Sequence, residues 1–451
     1  MKISKLNVYG MFGEFNYELD FNRFEDNVTI LTAPNGYGKS TILKIIDKFF
    51  NKKFDQLFDE SFTSFEIESD NKSYNVKKEN DSLEITIKDN NNPFFKDLII
   101  NSFIINKHNI LENNKKFNYV ISSNIPFITR VKHDTWLDER DGEILSTKEL
   151  YYRYNHLFSD FSEDFNYDES LLEIIENKVI FVETDRLLNF KNKKNSYPHE
   201  PNLKEAAIVE LSEDILKLLK ETIKKQYDLS MDQSLDFPER VMSLLTDEKS
   251  VKSEDLIDKI LKITKFDDEL NENEIFGNLS LNHKIINQLK NKKVSNNKSF
   301  LLVLNSYLQD ILERIQTCTD LANRINLFKT SVNSLLQFKS IDIHPKNGLI
   351  VKNRKGNENG DFGIELLSSG EQHLIILLGN LIFNTRYGTL VLIDEPEISL
   401  HAAWQKRLLS LISEISSINK FDVLIATHSF TLINGNWDKT IELAEENINE
   451  K

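Results

Sequence analysis

The stretch of sequence that decides the fold is Ala33-Pro34-Asn35-Gly36-Tyr37-Gly38-Lys39-Ser40-Thr41. The apolar run 28–32 in front of it predicts a short buried strand. Behind it, residues 41–50 place apolar side chains at helical spacing, which predicts an amphipathic helix. A strand, a Gly-rich turn that ends in Lys-Ser, and a helix are typical of a phosphate-binding P-loop. A Gly-rich turn with a chance Lys-Ser is the alternative, and the flanking strand and helix argue against it.

The residue types of this loop are suited to binding a nucleoside triphosphate. Backbone N–H groups of the turn can cradle phosphates, and glycines allow backbone angles that a Cβ would resist. Lys39 would neutralise the β- and γ-phosphates of ATP, and the hydroxyl of Ser40 would bind Mg²⁺. Ala33 stands where the usual pattern has its first glycine, which is a small change. The predicted phosphate-binding residues are Asn35, Gly36, Gly38, Lys39, Ser40 and Thr41.

A second motif places two acidic residues after an apolar run, in Leu390-Val391-Leu392-Ile393-Asp394-Glu395. The run predicts a buried strand. Neighbouring residues of a strand point to opposite sides, so the two carboxylates can have different roles. Asp394 would hold Mg²⁺ through water, and Glu395 would accept a proton from the attacking water. Solvated acids at a strand end are the alternative, and the P-loop favours the catalytic interpretation.

Two further motifs lie on either side of this strand. Ser368-Ser369-Gly370 opens a predicted helix, where Ser368 can cap the helix and present N–H groups to an anion. His428 follows the predicted strand 423–427, where an imidazole can hydrogen-bond a γ-phosphate and respond to its loss. An ordinary helix cap and a structural histidine are the alternatives. The order of the motifs along the chain favours a nucleotide site.

Composition narrows the class of protein. The chain has 451 residues, of which 40% are hydrophobic and 28% charged, which suits a globular protein of about three domain-sized units. No apolar run approaches the roughly 20 residues that span a membrane, and no signal peptide is visible. Cys318 is the only cysteine, which excludes an intramolecular disulfide and a Cys-based zinc site. We therefore expect a cytoplasmic protein that makes no contact with a membrane.

The strand and helix patterns divide the chain into three parts. Alternating runs up to residue 87 predict an antiparallel meander. Strands that alternate with helices after residue 341 predict a parallel sheet covered on both faces. Helical spacing dominates 203–338. The predicted domains are the N-terminal part of a nucleotide-binding head (1–190), an inserted helical domain (191–338) and the C-terminal part of the head (339–451).

Together the motifs resemble the Walker A, signature, Walker B, D-loop and switch-histidine set of ABC ATPases, in that order. The resemblance implies an α/β fold, namely an ABC/SMC-type P-loop ATPase head with a mixed sheet core, an antiparallel β meander and an inserted α-helical domain. Within that class, the sequence resembles the OLD-like ATPases in residues 395–401 with Trp404 and Gln405, and in residues 427–429 followed by 436–443. The chain looks most like the AriA ATPase subunits of PARIS anti-phage systems, and next like the Septu ATPases (PtuA).

The resemblance implies a head-to-head dimer with ATP and Mg²⁺ between the two heads. One head would supply Lys39, Ser40, Asp394, Glu395 and His428, and the other would supply Ser368, Ser369 and Gly370. Asp185 stands where such ATPases carry a glutamine that touches Mg²⁺. An aspartate could bind the metal through water, and a surface acid is the alternative, so the rate of hydrolysis stays open. Phe12 is a candidate for contact with the adenine.

Three functions are compatible with these features. The OLD-like resemblance implies the ATPase subunit of a bacterial anti-phage defence system. Such a subunit would be an ATP-dependent homo-oligomeric scaffold and sensor. It would sequester a Toprim-type effector nuclease encoded nearby and release it on sensing a phage protein such as a DNA mimic. The chain itself shows no nuclease motif, so a partner would supply that activity.

The alternative is an SMC/RecF-like DNA-repair ATPase that clamps DNA. The net charge of −15 lowers the expectation of direct DNA binding. The basic clusters 191–194 and 290–298 could contact phosphates or could be solvated loops. The ATPase of a membrane transporter ranks third.

Overall fold

The computed structural model describes residues 1–23, 26–70, 72–89, 98–106, 121, 125, 127–132, 135–140, 144–146, 150, 175, 178–183, 188–189, 205–246, 250–277, 284–289, 294, 296–354, 363–364 and 367–444. The chain forms two compact units. One, here the sheet unit, comprises Met1–Ala207 and Asn384–Lys451. The other, here the helical unit, comprises Ile208–Phe383.

The elements follow one another in the order that the sequence predicts. The first segment of the sheet unit contains β1 (Ile3–Met11), β2 (Phe15–Asp20), β3 (Val28–Thr32), α1 (Lys39–Phe50), α2 (Phe54–Leu57), β4 (Ser64–Ser69), β5 (Lys72–Glu79), β6 (Ser82–Asp89), β7 (Leu98–Asn106), β8 (Ile128–Lys132), β9 (Thr135–Asp138), β10 (Ile144–Ser146), β11 (Val179–Val182), β12 (Leu188–Asn189) and β13 (Glu205–Ala206). Next come α3 (Ala207–Thr246), α4 (Ser253–Glu269), α5 (Lys284–Leu289), α6 (Lys298–Leu335), β14 (Lys339–His344), β15 (Gly348–Asn353) and α7 (Ser369–Phe383). The chain then returns to the sheet unit with β16 (Leu390–Asp394), α8 (Ala402–Asn419), β17 (Asp422–Thr427), α9 (Phe430–Ile433) and β18 (Thr440–Glu442).

The sheet unit contains a parallel sheet with the strand order β11-β16-β17-β3-β18. Strands from both ends of the chain alternate in it, since β3 pairs with β17 and with β18. The register places Asp394 beside Ala426, and Thr427 beside Thr32. Because the strands are parallel, the segments that follow β3, β16 and β17 meet at one edge of the sheet, where ligands of such sheets bind.

A second sheet of the same unit is an antiparallel meander, with the strand order β2-β1-β4-β5-β6-β7. Helix α1 contacts strands of the parallel sheet, and its Phe49 ring packs edge-on against Phe65 and Tyr74 of the meander. The side chain of Phe49 is fully buried. The core of the sheet unit therefore joins α1 to both sheets, and the predicted α/β fold with a β meander is confirmed.

The helical unit is built on long helices. Helix α6 packs against α4 and α7, and β14 and β15 form a hairpin whose turn contains Asn347-Gly348. Arg240 of α3 donates to both carboxylate oxygens of Asp310 on α6, at 2.7 Å each. Beyond Leu219, no residue of α3 is buried. The apolar side chains of Tyr227, Met231 and Leu235 lie exposed along this part of the helix.

The compact units and the predicted domains have different boundaries. The helical unit extends to Phe383 and includes residues 339–383, whereas the sequence assigns 339–451 to the C-terminal part of the head. The compact units reflect which residues contact one another, whereas the predicted domains reflect which residues form the nucleotide site. The two divisions need not coincide. The predicted domains 1–190, 191–338 and 339–451 therefore stay a prediction.

Within the described part of the chain, no helix has the length and apolar character needed to cross a membrane.

Candidate functional site

The P-loop joins the end of β3 to the start of α1. Gly36 and Gly38 have φ angles of 92° and 88°, in the region that favours glycine. The close packing around Gly38 also favours glycine, because a Cβ at this position would lie 2.2 Å from the Met11 sulfur. The backbone angles that the sequence predicts for the loop are therefore present.

Lys39 is buried, with 6% of its surface exposed. Its Nζ donates to the carbonyl oxygens of Ala33 and Pro34, at 2.7 and 3.3 Å. The ammonium is thus held at the P-loop itself, where a bound phosphate would approach the N-terminus of α1.

Ser40 and Asp394 lie 354 positions apart in sequence and are in contact in the structure. The Ser40 hydroxyl donates to Oδ1 of Asp394 at 2.8 Å. A hydroxyl and a carboxylate are the hard oxygen ligands that Mg²⁺ accepts, together with water and phosphate oxygens. No group of three or more His, Cys, Asp or Glu side chains suited to a metal occurs among the described residues. The Ser40 hydroxyl and the Asp394 carboxylate therefore fit two oxygen ligands of Mg²⁺.

Glu395 follows β16 and takes a backbone conformation that differs from the predicted one. The strand ends at Asp394, and Glu395 has a φ of 44°, in the left-handed region. Its N–H donates to the carbonyl of Ala426 at 2.8 Å. Strand alternation therefore does not separate the two acids. The left-handed conformation of Glu395 separates the two carboxylates instead, and such a conformation costs about 1–3 kcal/mol.

His428 follows β17 and faces Glu395. Its Nδ1 lies 3.5 Å from Oε1 of Glu395 and 4.0 Å from Oε1 of Glu397. The imidazole is about half exposed, at 51%. The end of β17 therefore brings the predicted switch histidine next to the predicted general base.

Residues 28–434 match the protein family described as "AAA domain, putative AbiEii toxin, Type IV TA system". This match covers well over half of the chain and includes the P-loop, the two acidic residues and His428. The chain belongs to this AAA-domain family. Its family and the topology of its parallel sheet are those of the AAA/ABC-type P-loop ATPases. None of the curated proteins matches the chain.

Solved structures similar to this AAA-domain protein include heads of the Smc protein. The Smc head domain of Pyrococcus furiosus, bound to the C-terminal domain of ScpA, has 12% identity and a TM-score of 0.35, over 96% of this chain and 90% of that chain. An SmcHead bound to the C-winged helix domain of ScpA has 10% identity and a TM-score of 0.33, over 97% and 92%. Such low identities and scores add nothing to what the sheet topology shows.

The signature residues of this AAA-domain protein lie in the helical unit. Ser368 and Ser369 are exposed, and Gly370 is buried in the first turn of α7. The Ser368 N–H and hydroxyl donate to Oε2 of Glu371, and the Glu371 N–H donates to the Ser368 hydroxyl, as in a capping box. Burial acts to raise the pKa of Glu371, but Lys339 and Ser368 outweigh burial and hold the pKa below its ordinary value.

Sequence reasoning missed a buried acid at the edge of the sheet. Only 6% of Glu397 is exposed, and its carboxyl accepts a hydrogen bond from the Thr427 hydroxyl. Burial raises the pKa of Glu397, while Thr427 and His428 act in the opposite direction. In the sequence Glu397 stands out only as part of a family pattern, because a Glu two residues after Glu395 carries no local signal of burial.

Two other predicted residues have different outcomes. The Phe12 ring lies beside the P-loop, since a Cβ at Gly38 would be 3.3 Å from it, and 47% of Phe12 is exposed. Its contact with adenine stays a prediction. Asp185 lies outside the described residues, as do residues 191–194 and part of 290–298, so the predictions made for them are not tested.

Proposed function

We propose that this protein is an ATPase of the ABC type that hydrolyses ATP at the edge of its parallel sheet. The observation that carries this proposal is the contact of Ser40 with Asp394, beside the P-loop lysine. The residue types match a Mg²⁺–ATP site, and β3 and β16 place them at one edge of the sheet. Asp185 stays a candidate third ligand of the metal.

In this proposal each side chain has one role. Mg²⁺, when bound, would neutralise charge on the β- and γ-phosphates. Lys39 would exchange its carbonyl partners for phosphate oxygens, which are charged and therefore stronger acceptors. Glu395 would take the proton of the attacking water, and His428 would hydrogen-bond the terminal phosphate.

We further propose that a second copy of the chain completes the site. Ser368 and Ser369 are exposed and lie at the N-terminus of the 15-residue α7, where N–H groups favour an anion. A head-to-head dimer would place them on the nucleotide of the partner. Higher homo-oligomers would then form through other surfaces.

We propose a role in anti-phage defence, as a scaffold and sensor that holds a Toprim-type effector nuclease and releases it on sensing a phage protein. The OLD-like pattern of residues 395–401 supports this role. The family description, which names a toxin of a type IV toxin–antitoxin system, suits a protein that acts with a partner. The exposed apolar side chains along α3 offer a surface for that nuclease.

The test is to express the chain with the products of its neighbouring genes and to purify it with ATP. We expect an oligomer that contains a nuclease subunit and dissociates when a phage trigger protein is added. An inert monomer in the presence of ATP would contradict the proposal. Salt-sensitive binding of DNA without any protein partner would instead favour the DNA-clamping alternative.

A further inference from the structure

Two loops at the edge of the sheet are joined by a bridge of side-chain hydrogen bonds. One loop, residues 395–400, follows β16 and carries Glu395. The other, residues 427–429, follows β17 and carries His428. The Thr427 hydroxyl donates to the Glu397 carboxyl, and the Ser429 N–H donates to the Thr427 hydroxyl at 2.9 Å. The two loops are therefore tied together directly behind the proposed site.

Gln405 of α8 adds a second tie between the same loops. Its Oε1 accepts from the Ser429 hydroxyl at 3.1 Å, and its Nε2 donates to the carbonyl of Leu400 at 3.0 Å and to that of Glu397 at 3.4 Å. A single amide thus contacts both loops through its two ends. This arrangement matches a glutamine that acts as a rigid connector.

The Thr427–Glu397 contact of the bridge is buried, whereas Gln405 and Ser429 are half-buried. Thr427 is fully buried, and within the described residues Oε2 of Glu397 has no hydrogen-bond partner. A buried carboxyl with an unpaired oxygen costs free energy that an apolar side chain would not. Such a group needs a reason other than packing.

The neighbours of Glu397 supply that reason. Besides Thr427, the charged or titratable groups that face it are Glu395 on its own loop and His428 at the end of β17. The Glu395 residue is also in a strained left-handed conformation, and its N–H bonds Ala426 of β17. A movement of His428 would therefore be transmitted to the 395–400 loop by these hydrogen bonds rather than through solvent.

We propose that Glu397, Thr427 and Gln405 are positioning residues that couple His428 to the 395–400 loop. This inference rests on the proposed ATPase function and deepens it. When His428 meets a terminal phosphate, the bridge moves the 395–400 loop with it and aligns Glu395 with the attacking water. None of the three residues touches the nucleotide.

The test compares variants of the full-length protein in ATP hydrolysis and in the binding of a fluorescent ATP analogue. Thr427→Val removes the hydroxyl with little change in volume, and Gln405→Ala removes the second tie. Both lower kcat about 10- to 100-fold, the cost of misplacing a catalytic group, while KM and analogue affinity change less than about twofold. Glu397→Gln keeps an acceptor for Thr427 and retains most of kcat. The matched control is Lys406→Ala, an exposed neighbour of Gln405 on α8 that keeps wild-type kcat.

Wild-type kcat in both Thr427→Val and Gln405→Ala overturns the inference and leaves the ATPase proposal intact. A rise in KM equal to the fall in kcat/KM also overturns it, because the residues would then act in binding. A wild-type protein that binds but never hydrolyses ATP removes the proposed function and this inference together. Should Gln405→Ala fail to fold, the other two variants decide the question, since the inference requires kcat to fall in Thr427→Val and to be largely retained in Glu397→Gln.

Discussion

Two carbonyl oxygens, those of Ala33 and Pro34, hold the Lys39 ammonium inside the P-loop. The residues around Lys39 predict that it binds phosphate, but they do not predict these two hydrogen bonds. The same is true of Ser40, whose partner Asp394 lies far along the chain. Phosphate oxygens are negatively charged, so they bind the Lys39 ammonium more strongly than the two carbonyl oxygens do. The lysine therefore matters more to nucleotide binding than to the fold.

Lys39→Ala should weaken ATP binding about 10- to 100-fold, the cost of losing charged hydrogen bonds. Calorimetric titration with a slowly hydrolysed ATP analogue measures the change. Lys44→Ala is the matched control, since Lys44 is exposed on the same helix. Equal affinity in Lys39→Ala and the wild type would refute the phosphate assignment.

Glu395→Gln should keep ATP binding and lower hydrolysis about 100- to 10,000-fold, the usual contribution of a general base. The ATP-bound assembly should accumulate, because the composite site closes and cannot turn over. Phosphate release and light scattering in the presence of ATP report the two effects. The control is Glu414→Gln, an exposed acid of α8. Hydrolysis at the wild-type rate would exclude Glu395 as the base.

Glu397 should make stability depend on pH. Burial raises its pKa in the folded state, so the folded protein binds this proton more tightly than the unfolded chain does. The stability that Glu397 contributes is therefore present below its ordinary pKa and is lost as pH rises through the raised value. Glu397→Gln cannot ionise, so its Tm should fall less than that of the wild type as pH rises above the ordinary pKa of a glutamate. Parallel falls in both proteins would show that Glu397 stays charged.

At the scale of elements, periodicity in the sequence was sufficient for most of the sheet unit. The apolar spacing of 41–50 predicts α1, because one face of that helix is buried, and the continuous apolar run before Asp394 predicts β16, because that strand is buried on both faces. Burial of Glu397 and the left-handed Glu395 could not be predicted, because both depend on contacts between β16 and β17. The end of the helical unit at Phe383 depends on packing of α7 against α6. Such packing does not change the spacing of apolar residues in the local sequence.

Phe49 tests how α1 joins the two sheets. Phe49→Ala should lower the free energy of unfolding by about 3–5 kcal/mol, because a large buried ring is replaced by a cavity. Denaturant unfolding followed by circular dichroism gives the difference. Lys44→Ala on the exposed face of α1 should leave it within about 0.5 kcal/mol of the wild type. A loss below about 1 kcal/mol for Phe49→Ala would mean that the ring is not part of a close-packed core.

At the scale of the whole molecule, the question is whether the signature residues act on the nucleotide of their own chain or of a partner. At an ATP concentration that saturates the wild type but not Lys39→Ala, this variant and a second one, Ser368→Arg, should each show little hydrolysis alone. If the site is composite, a mixed dimer keeps one intact site, formed by the P-loop of the Ser368→Arg chain and the signature of the Lys39→Ala chain. Random pairing of equal amounts makes half of the dimers mixed, so the mixture should recover about a quarter of wild-type activity. If Ser368 acts within its own chain, each chain carries a defect in its only site and mixing restores nothing. ATP hydrolysis measured across mixing ratios therefore separates the two arrangements, with a maximum at equal amounts expected only for the composite site.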